Sequence, residues 1–262
     1  MEAGISTATL FLRLNNEDAL PLFDEWGVRV AEVFLTSFSE YSARFGALLS
    51  TRKGKVRAKS VHVLNTQFEP QLYAEHPRVR EDAFQWLEHA MSAAEAFGAE
   101  RYTFHGIARL KRTFKENLPL VTRRTAEIAE VCARHKIALC YENVEWAFFN
   151  RPELFKELKR GCPNLLGVLD LKQARLSGYD WREYLGAMAG SLSHVHASDI
   201  TSDGKMCLPG RGVLDFDELF ARLRDAGFSG PVLIENYQRD YVGLDEVKAS
   251  YEFLAEKVEK YS

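Results

Sequence analysis

Eight short apolar runs, rich in β-branched and aromatic residues, recur along the 262-residue chain with helical patterns between them. They cover residues 3–6, 28–34, 58–64, 101–105, 137–142, 165–170, 192–197 and 231–235. Each run with its following helix takes about 33 residues, which is the size of one strand–helix repeat. Strands that alternate with helices predict a parallel sheet.

Eight such units in a chain of this length predict a single closed (β/α)8 barrel that spans residues 1–262. The main alternative is an open, doubly wound sheet, but the GxGxxG motif of a dinucleotide-binding turn does not follow the first run. Phe84, Leu87, Met91 and Ala94 form one apolar stripe of a helix that we expect to end at Gly98. No linker or composition break indicates a second domain.

Composition restricts the class of partner. The 34 basic and 37 acidic residues give a net charge of -3, which disfavours nucleic acid and anionic membranes as partners. The four cysteines form no CxxC pair, and we expect a reduced, cytoplasmic setting. No apolar run approaches the roughly 18 residues of a membrane span, and no basic segment typical of a secretory signal opens the chain.

Polar residues lie at or near the carboxyl ends of seven runs, where barrel enzymes build their active sites. These residues are Glu32, His62, His105, Glu142, Asp170, His196 and Glu235.

Strand alternation predicts that four of these side chains point towards the barrel axis: Glu142, Asp170, His196 and Glu235. Three converging carboxylates need a compensating positive charge. With a neutral imidazole they sum to −3, and one divalent cation brings the site to about −1. Three oxygen ligands and one imidazole suit Mn²⁺, our first choice, as well as Mg²⁺ or Co²⁺, and they are compatible with Zn²⁺ or Fe²⁺.

Five segments together resemble the xylose isomerase-like barrels, specifically the sugar (phosphate) isomerase/epimerase group, over nearly the whole chain. They are YENVEW (141–146), GVLDLKQA (167–174), HVHASD (194–199), LPGRG (208–212) and VLIEN (232–236). The resemblance implies that Glu142, Asp170, His196 and Glu235 hold the metal ion and that Glu142 and Glu235 also form the acid/base pair. It further implies isomerisation or epimerisation of a small polyhydroxylated substrate through a metal-stabilised enediolate, and it leaves a homo-oligomer open.

The chain departs from its relatives at Gln173, where many of them carry histidine three residues after the sixth-strand aspartate. The Asp-x-His of the related apurinic-site endonucleases is replaced by Asp203-Gly204-Lys205. Both changes disfavour a multi-metal phosphodiesterase.

The cationic residues Lys172 and Arg211 follow the sixth and seventh runs and are compatible with a phosphate or carboxylate on the substrate. Candidate substrate-binding residues are therefore Glu32, His62, His105, Lys172, Gln173 and Arg211.

Three alternatives stay open. A keto-polyol dehydratase would use the same metal site but expel a β-hydroxyl group. A non-catalytic barrel would bind a sugar without turnover. The simplest alternative is that the four polar residues only cap helices or pair with nearby basic side chains.

Overall fold

A computed structural model describes residues 1–109 and 117–261. Eight parallel strands form the barrel: β1 (Glu2–Ser6), β2 (Val30–Leu35), β3 (Arg57–Val63), β4 (Arg101–Phe104), β5 (Ala138–Glu142), β6 (Leu166–Asp170), β7 (Leu192–Ala197) and β10 (Pro231–Ile234). They close in the order β1-β10-β7-β6-β5-β4-β3-β2. The predicted (β/α)8 barrel is confirmed.

The helices surround the barrel, and all but the last lie between successive barrel strands. They are α1 (Asn16–Glu25), α2 (Ala43–Arg52), α3 (Pro77–Phe97), α4 (Leu118–Arg134), α5 (Pro152–Gly161), α6 (Leu171–Leu176), α7 (Trp181–Ala187), α8 (Phe216–Asp225) and α9 (Leu244–Tyr261). An antiparallel hairpin, β8 (Asp199–Ile200) and β9 (Met206–Cys207), follows β7. None of the described helices has the length and hydropathy needed to cross a membrane.

The helix predicted from the stripe at residues 84–94 is α3, and its boundary has a clear cause. Leu87, Met91 and Ala94 are fully buried against the barrel, and Phe84 packs on the same core at its edge. Gly98 adopts a left-handed conformation with φ of 90°, which glycine reaches without the steric cost of a Cβ atom. The helix therefore ends where the sequence predicts.

The second strand differs from its predicted run in both bounds. Val28 donates its backbone N–H to Phe23 O at 2.9 Å and so belongs to the turn after α1. At the other end, β2 continues to Leu35, where it still pairs with Val63 of β3. Glu32 is therefore an interior residue of the strand, three positions before its end.

Candidate active site

Four side chains meet at the carboxyl end of the barrel. Glu142 and Asp170 are the last residues of β5 and β6, His196 is the penultimate residue of β7, and Glu235 directly follows β10. One potential ligand atom from each lies within 4.8 Å of the others. The first three are almost fully buried, and the side chain of Glu235 is 11% exposed. The structure thus brings together the four residues that the sequence predicts as ligands.

Asp170 is held by the first turn of α6 and by the side chain of Asn143. Its Oδ1 atom accepts the backbone N–H of Gln173 at 2.8 Å and so caps the start of α6. Its own backbone N–H donates to Asn143 Oδ1 at 2.8 Å, and Asn143 Nδ2 donates back to Asp170 O at 3.0 Å. Only Oδ2 remains directed at the cluster, 4.0 Å from His196 Nδ1.

The imidazole of His196 has carboxylates beside both of its nitrogen atoms. Its Nδ1 atom is 2.9 Å from Glu142 Oε1 and 3.2 Å from Glu235 Oε2. Its Nε2 atom is 3.0 Å from Glu32 Oε1, at ion-pair distance but without hydrogen-bond alignment. A carboxylate beside Nε2 favours a proton on that nitrogen, which leaves the lone pair on Nδ1 for a ligand.

Glu32 lies beneath this cluster, and it does not line the cavity described below. It is fully buried, accepts hydrogen bonds from Ser6 Oγ at 3.1 Å and Thr103 Oγ1 at 2.6 Å, and lies 3.3 Å from His194 Nε2. Burial opposes its ionisation, but His196, His194 and His62 together outweigh burial and hold the pKa of Glu32 well below its usual value. Its interior position in β2 places it against the imidazoles and outside the cavity, whereas the sequence predicts a substrate contact for it.

His62 and His105 lie beside the four-residue cluster and connect it to a buried glutamate. The two Nε2 atoms are 2.8 Å apart, and His105 Nδ1 is 2.8 Å from Glu69 Oε2. His62 Nδ1 is 3.6 Å from Glu235 Oε2, and His105 Nε2 is 3.6 Å from Glu142 Oε2. The histidine pair therefore bridges the two carboxylates that the sequence predicts as the acid/base pair.

Glu69 is a site residue that sequence reasoning missed. It lies in a 3₁₀ helix at Glu69–Tyr73, is fully buried, and accepts hydrogen bonds from Tyr102 Oη at 2.6 Å and Asn65 Nδ2 at 3.1 Å. Its segment follows β3 without strand or helix periodicity, so no pattern in the sequence directs this side chain inward.

The electrostatics of the cluster follow from burying many charges together. Burial raises the pKa of Asp170 to about 7, against the opposing field of Lys172. Burial also opposes ionisation of Glu142, but His196, His105 and His62 together outweigh burial and lower the pKa of Glu142 to about 2. For His62, burial favours the neutral ring, yet the carboxylate of Glu235 raises its pKa to about 10. Without a metal cation, the carboxylates are thus balanced by protons on imidazoles.

These residues fit a divalent cation. One buried carboxylate oxygen at the cluster, Glu235 Oε2, lacks a hydrogen-bond partner among the described residues. An unpartnered, buried carboxylate oxygen is costly unless a cation or a donor satisfies it. Three carboxylates and one imidazole are a donor set suited to Mn²⁺, Mg²⁺, Co²⁺, Zn²⁺ or Fe²⁺.

A cavity of about 490 Å³ opens onto the cluster. Glu142, Glu235, His62, His105, Lys172 and Gln173 supply its polar floor. Its walls are largely apolar and include Phe11, Phe34, Leu64, Trp146 and Tyr237. Apolar side chains around a few convergent polar groups are typical of small-molecule sites.

The predicted substrate-binding residues separate into two groups. Four of them line the cavity, and Glu32 and Arg211 do not; the four are His62, His105, Lys172 and Gln173. Gln173 Oε1 accepts the backbone N–H of Glu145 at 3.1 Å. Arg211 does not reach it: its side chain is exposed, on the segment 208–214 that follows the β8–β9 hairpin.

Asp199 determines where that segment runs. Its carboxylate accepts the backbone N–H groups of Ile200, Gly210, Gly212 and Leu214 at 2.7–3.1 Å. Asp199 therefore supports the backbone of this loop.

The closed parallel barrel with its polar cluster at the carboxyl end is the architecture of a TIM barrel. The chain belongs to the xylose isomerase-like TIM barrel family, whose sequence profile matches residues 21–257. No curated protein sequence matches the chain.

Solved structures show the same fold at low identity. D-psicose 3-epimerase from Clostridium cellulolyticum H10, determined with D-tagatose, is 15% identical with a TM-score of 0.79, covering 97% of this chain and 98% of that one. The IOLI protein with a bound zinc atom is 16% identical with a TM-score of 0.80, covering 100% and 99%. The probable 3-DHS dehydratase AsbF from Bacillus anthracis is 17% identical with a TM-score of 0.75, covering 97% and 98%.

Proposed function

We propose that this protein is a divalent-metal-dependent isomerase or epimerase that moves a proton next to the carbonyl group of a small sugar or related keto-polyol. The observation that carries the proposal is the four-residue cluster itself. In it, Glu142 and Glu235 belong to one candidate metal site that opens onto a cavity with largely apolar walls. The epimerase and the zinc-containing IOLI protein share this fold. We propose Mn²⁺ as the ion and a cytoplasmic location.

Glu142, Asp170, His196 and Glu235 would hold the ion, which when bound polarises a carbonyl and stabilises negative charge on its oxygen. Glu142 and Glu235 differ from Asp170 in lining the cavity and in lying 3.6 Å from the histidine pair. One glutamate removes the C–H proton and the other returns a proton, each with an effect of roughly 10²–10⁴-fold on rate. Return to the same carbon gives an epimer, and return to the neighbouring carbon gives an isomer.

Dehydration of a keto-polyol is the second candidate, because AsbF shares the fold. It begins with the same proton removal and then expels a hydroxyl group from the next carbon. The two reactions differ in whether the product has lost water.

The experiment is to load the purified protein with Mn²⁺ and incubate it in D₂O with a panel of ketoses, aldoses and their phosphates. We expect deuterium to enter a C–H position next to the carbonyl, detected by NMR, without loss of water. A water-depleted product by mass spectrometry would replace our assignment with dehydration. Stoichiometric metal and sugar binding with no exchange would indicate a non-catalytic binding barrel.

A matched pair of variants tests the residues. Glu235→Gln removes a ligand and an acid/base group together, and we expect it to lower turnover by at least about 10³-fold. Glu252→Gln makes the same chemical change at an exposed position of α9 and should leave turnover unchanged. Near-native turnover of Glu235→Gln would refute the assignment.

A further inference from the structure

The side chain of Lys172 is buried at the active site, with 2% exposure. It is the second residue of α6, directly after the helix cap at Asp170. Its Nζ atom lies 3.7 Å from Asp170 Oδ2 and 4.3 Å from the centre of the Tyr237 ring. Neither contact is a hydrogen bond, and Nζ makes none with another described residue.

The ammonium group of Lys172 reaches the cavity, and no described residue accepts a hydrogen bond from it. Lysine side chains normally keep the charged end in water while the aliphatic stem packs against apolar surface. Asp170 offsets part of the charge, and the face of Tyr237 contributes a cation–π attraction. The three N–H donors of Lys172 still need acceptors, and the side chain lines the cavity that also exposes Glu142 and Glu235.

Its position next to Asp170 selects which part of a substrate these donors would meet. Among the described residues that line the cavity, Lys172 is the only lysine or arginine. It contacts one of the four clustered carboxylate and imidazole groups, so the atoms nearest to it are those at the reacting end of a ligand. A lysine or arginine that bound a phosphate at the other end of the substrate would lie in a part of the cavity wall away from Asp170.

We propose that Lys172 is a further catalytic residue, whose ammonium group donates a hydrogen bond to the substrate oxygen that gains negative charge during proton removal. This inference rests on the proposed function. When a glutamate takes the C–H proton, the electron pair of that bond forms a carbon–carbon π bond and the carbonyl π pair moves to oxygen. Lys172 keeps its proton throughout and supplies a positive charge beside that oxygen.

The test compares Lys172→Met, which keeps the length of the stem, with Lys205→Met, which removes the same charge from an exposed position of the hairpin loop. Calorimetry measures Mn²⁺ affinity. It also measures affinity of the Mn²⁺-loaded protein for glycolohydroxamate, an anionic mimic of the reacting fragment, and for the neutral polyol xylitol. We expect Lys172→Met to weaken hydroxamate binding by about 100-fold, and to change Mn²⁺ and xylitol affinities by less than about threefold.

In the exchange assay, the same variant should lower kcat by about 10²–10³-fold with little change in KM, because the interaction forms as charge develops. Lys172→Gln keeps a neutral donor and should fall between Lys172→Met and the wild type. It also carries the test if Lys172→Met does not fold. Lys205→Met should match the wild type in every measurement.

Two outcomes would overturn the inference by itself. Unchanged hydroxamate affinity and kcat in Lys172→Met, with an active wild type, would show that the ammonium does not contact the reacting oxygen. Weakened Mn²⁺ binding that accounts for the whole effect would show that Lys172 only balances Asp170. A wild type that exchanges no substrate proton would refute the proposed function, and this inference with it.

Discussion

Replacing Glu32 by glutamine tests whether a residue outside the cavity prepares His196 as a ligand. Both carboxylate oxygens of Glu32 are in use: Oε1 lies 3.0 Å from His196 Nε2, and Oε2 accepts from Thr103 Oγ1 at 2.6 Å. An amide has one acceptor oxygen and no negative charge, so its N–H group faces either Thr103 Oγ1, which can accept a hydrogen bond, or His196 Nε2. If it faces His196, the ring proton shifts to Nδ1, the atom directed at Glu142 and Glu235. Residues that orient metal-binding histidines typically change metal affinity by about 10–100-fold, or about 1.4–2.7 kcal/mol.

We expect the upper part of that range, because Glu32 also lies 3.3 Å from both His62 and His194. The assay is calorimetric titration of Glu32→Gln with Mn²⁺ at fixed pH, with circular dichroism to verify the fold. The exposed change Glu252→Gln serves as the control. A dissociation constant within about threefold of the wild type would refute the reasoning that Glu32 determines which nitrogen of His196 is free.

Three further predictions concern pH and packing. The pKa of metal-free His196 is raised well above its usual value because the surrounding carboxylates outweigh burial. Mn²⁺ binding should therefore release a proton, and Mn²⁺ affinity should increase from pH 6 to pH 8 by at most about tenfold per pH unit. A dissociation constant that does not change with pH would contradict this prediction. His135 lies between two α3 glutamates, and these raise its pKa although burial opposes them. In urea unfolding near pH 6, the wild type should be more stable than His135→Gln by about 0.5 kcal/mol. This difference should disappear as the pH rises through the raised pKa of His135, and a difference that grows instead would refute the prediction. In Gly4→Ala the new Cβ atom would lie 2.2 Å from Val30 O, so we expect the free energy of unfolding to fall by roughly 2–3 kcal/mol. Gly186→Ala, whose Cβ atom would have open space around it, should not destabilise the fold. Equal urea unfolding midpoints for the two variants would contradict this prediction.

The sequence predicts best the features that follow from the two-residue alternation of side chains along a strand. Alternation along β5 and β6 places the side chains of Glu142 and Asp170 on the inner face, and each lies at the last residue of its strand. Where the end of a strand is misjudged, the prediction for its residue changes: β2 runs three residues beyond Glu32, which turns an expected rim residue into a buried support.

The remaining differences come from contacts between distant segments. Arg211 is directed away from the cavity because Asp199 holds the loop backbone through several hydrogen bonds. Glu69 is drawn inward by Tyr102 and His105, which lie more than thirty positions later in the chain. Local patterns carry no information about such pairs, since tertiary packing alone brings them together.

The double use of Asp170 has a consequence for how the chemistry of this barrel could diversify. One carboxylate oxygen fixes the first turn of α6 and the other faces the cluster, so the backbone that carries Lys172 and Gln173 is anchored independently of what those two side chains are. Randomising only these two codons would alter the side chains that face a ligand. It would retain the helix cap by Asp170 and the four-residue candidate metal site. Reaction preference could then change in small mutational steps without loss of the underlying scaffold.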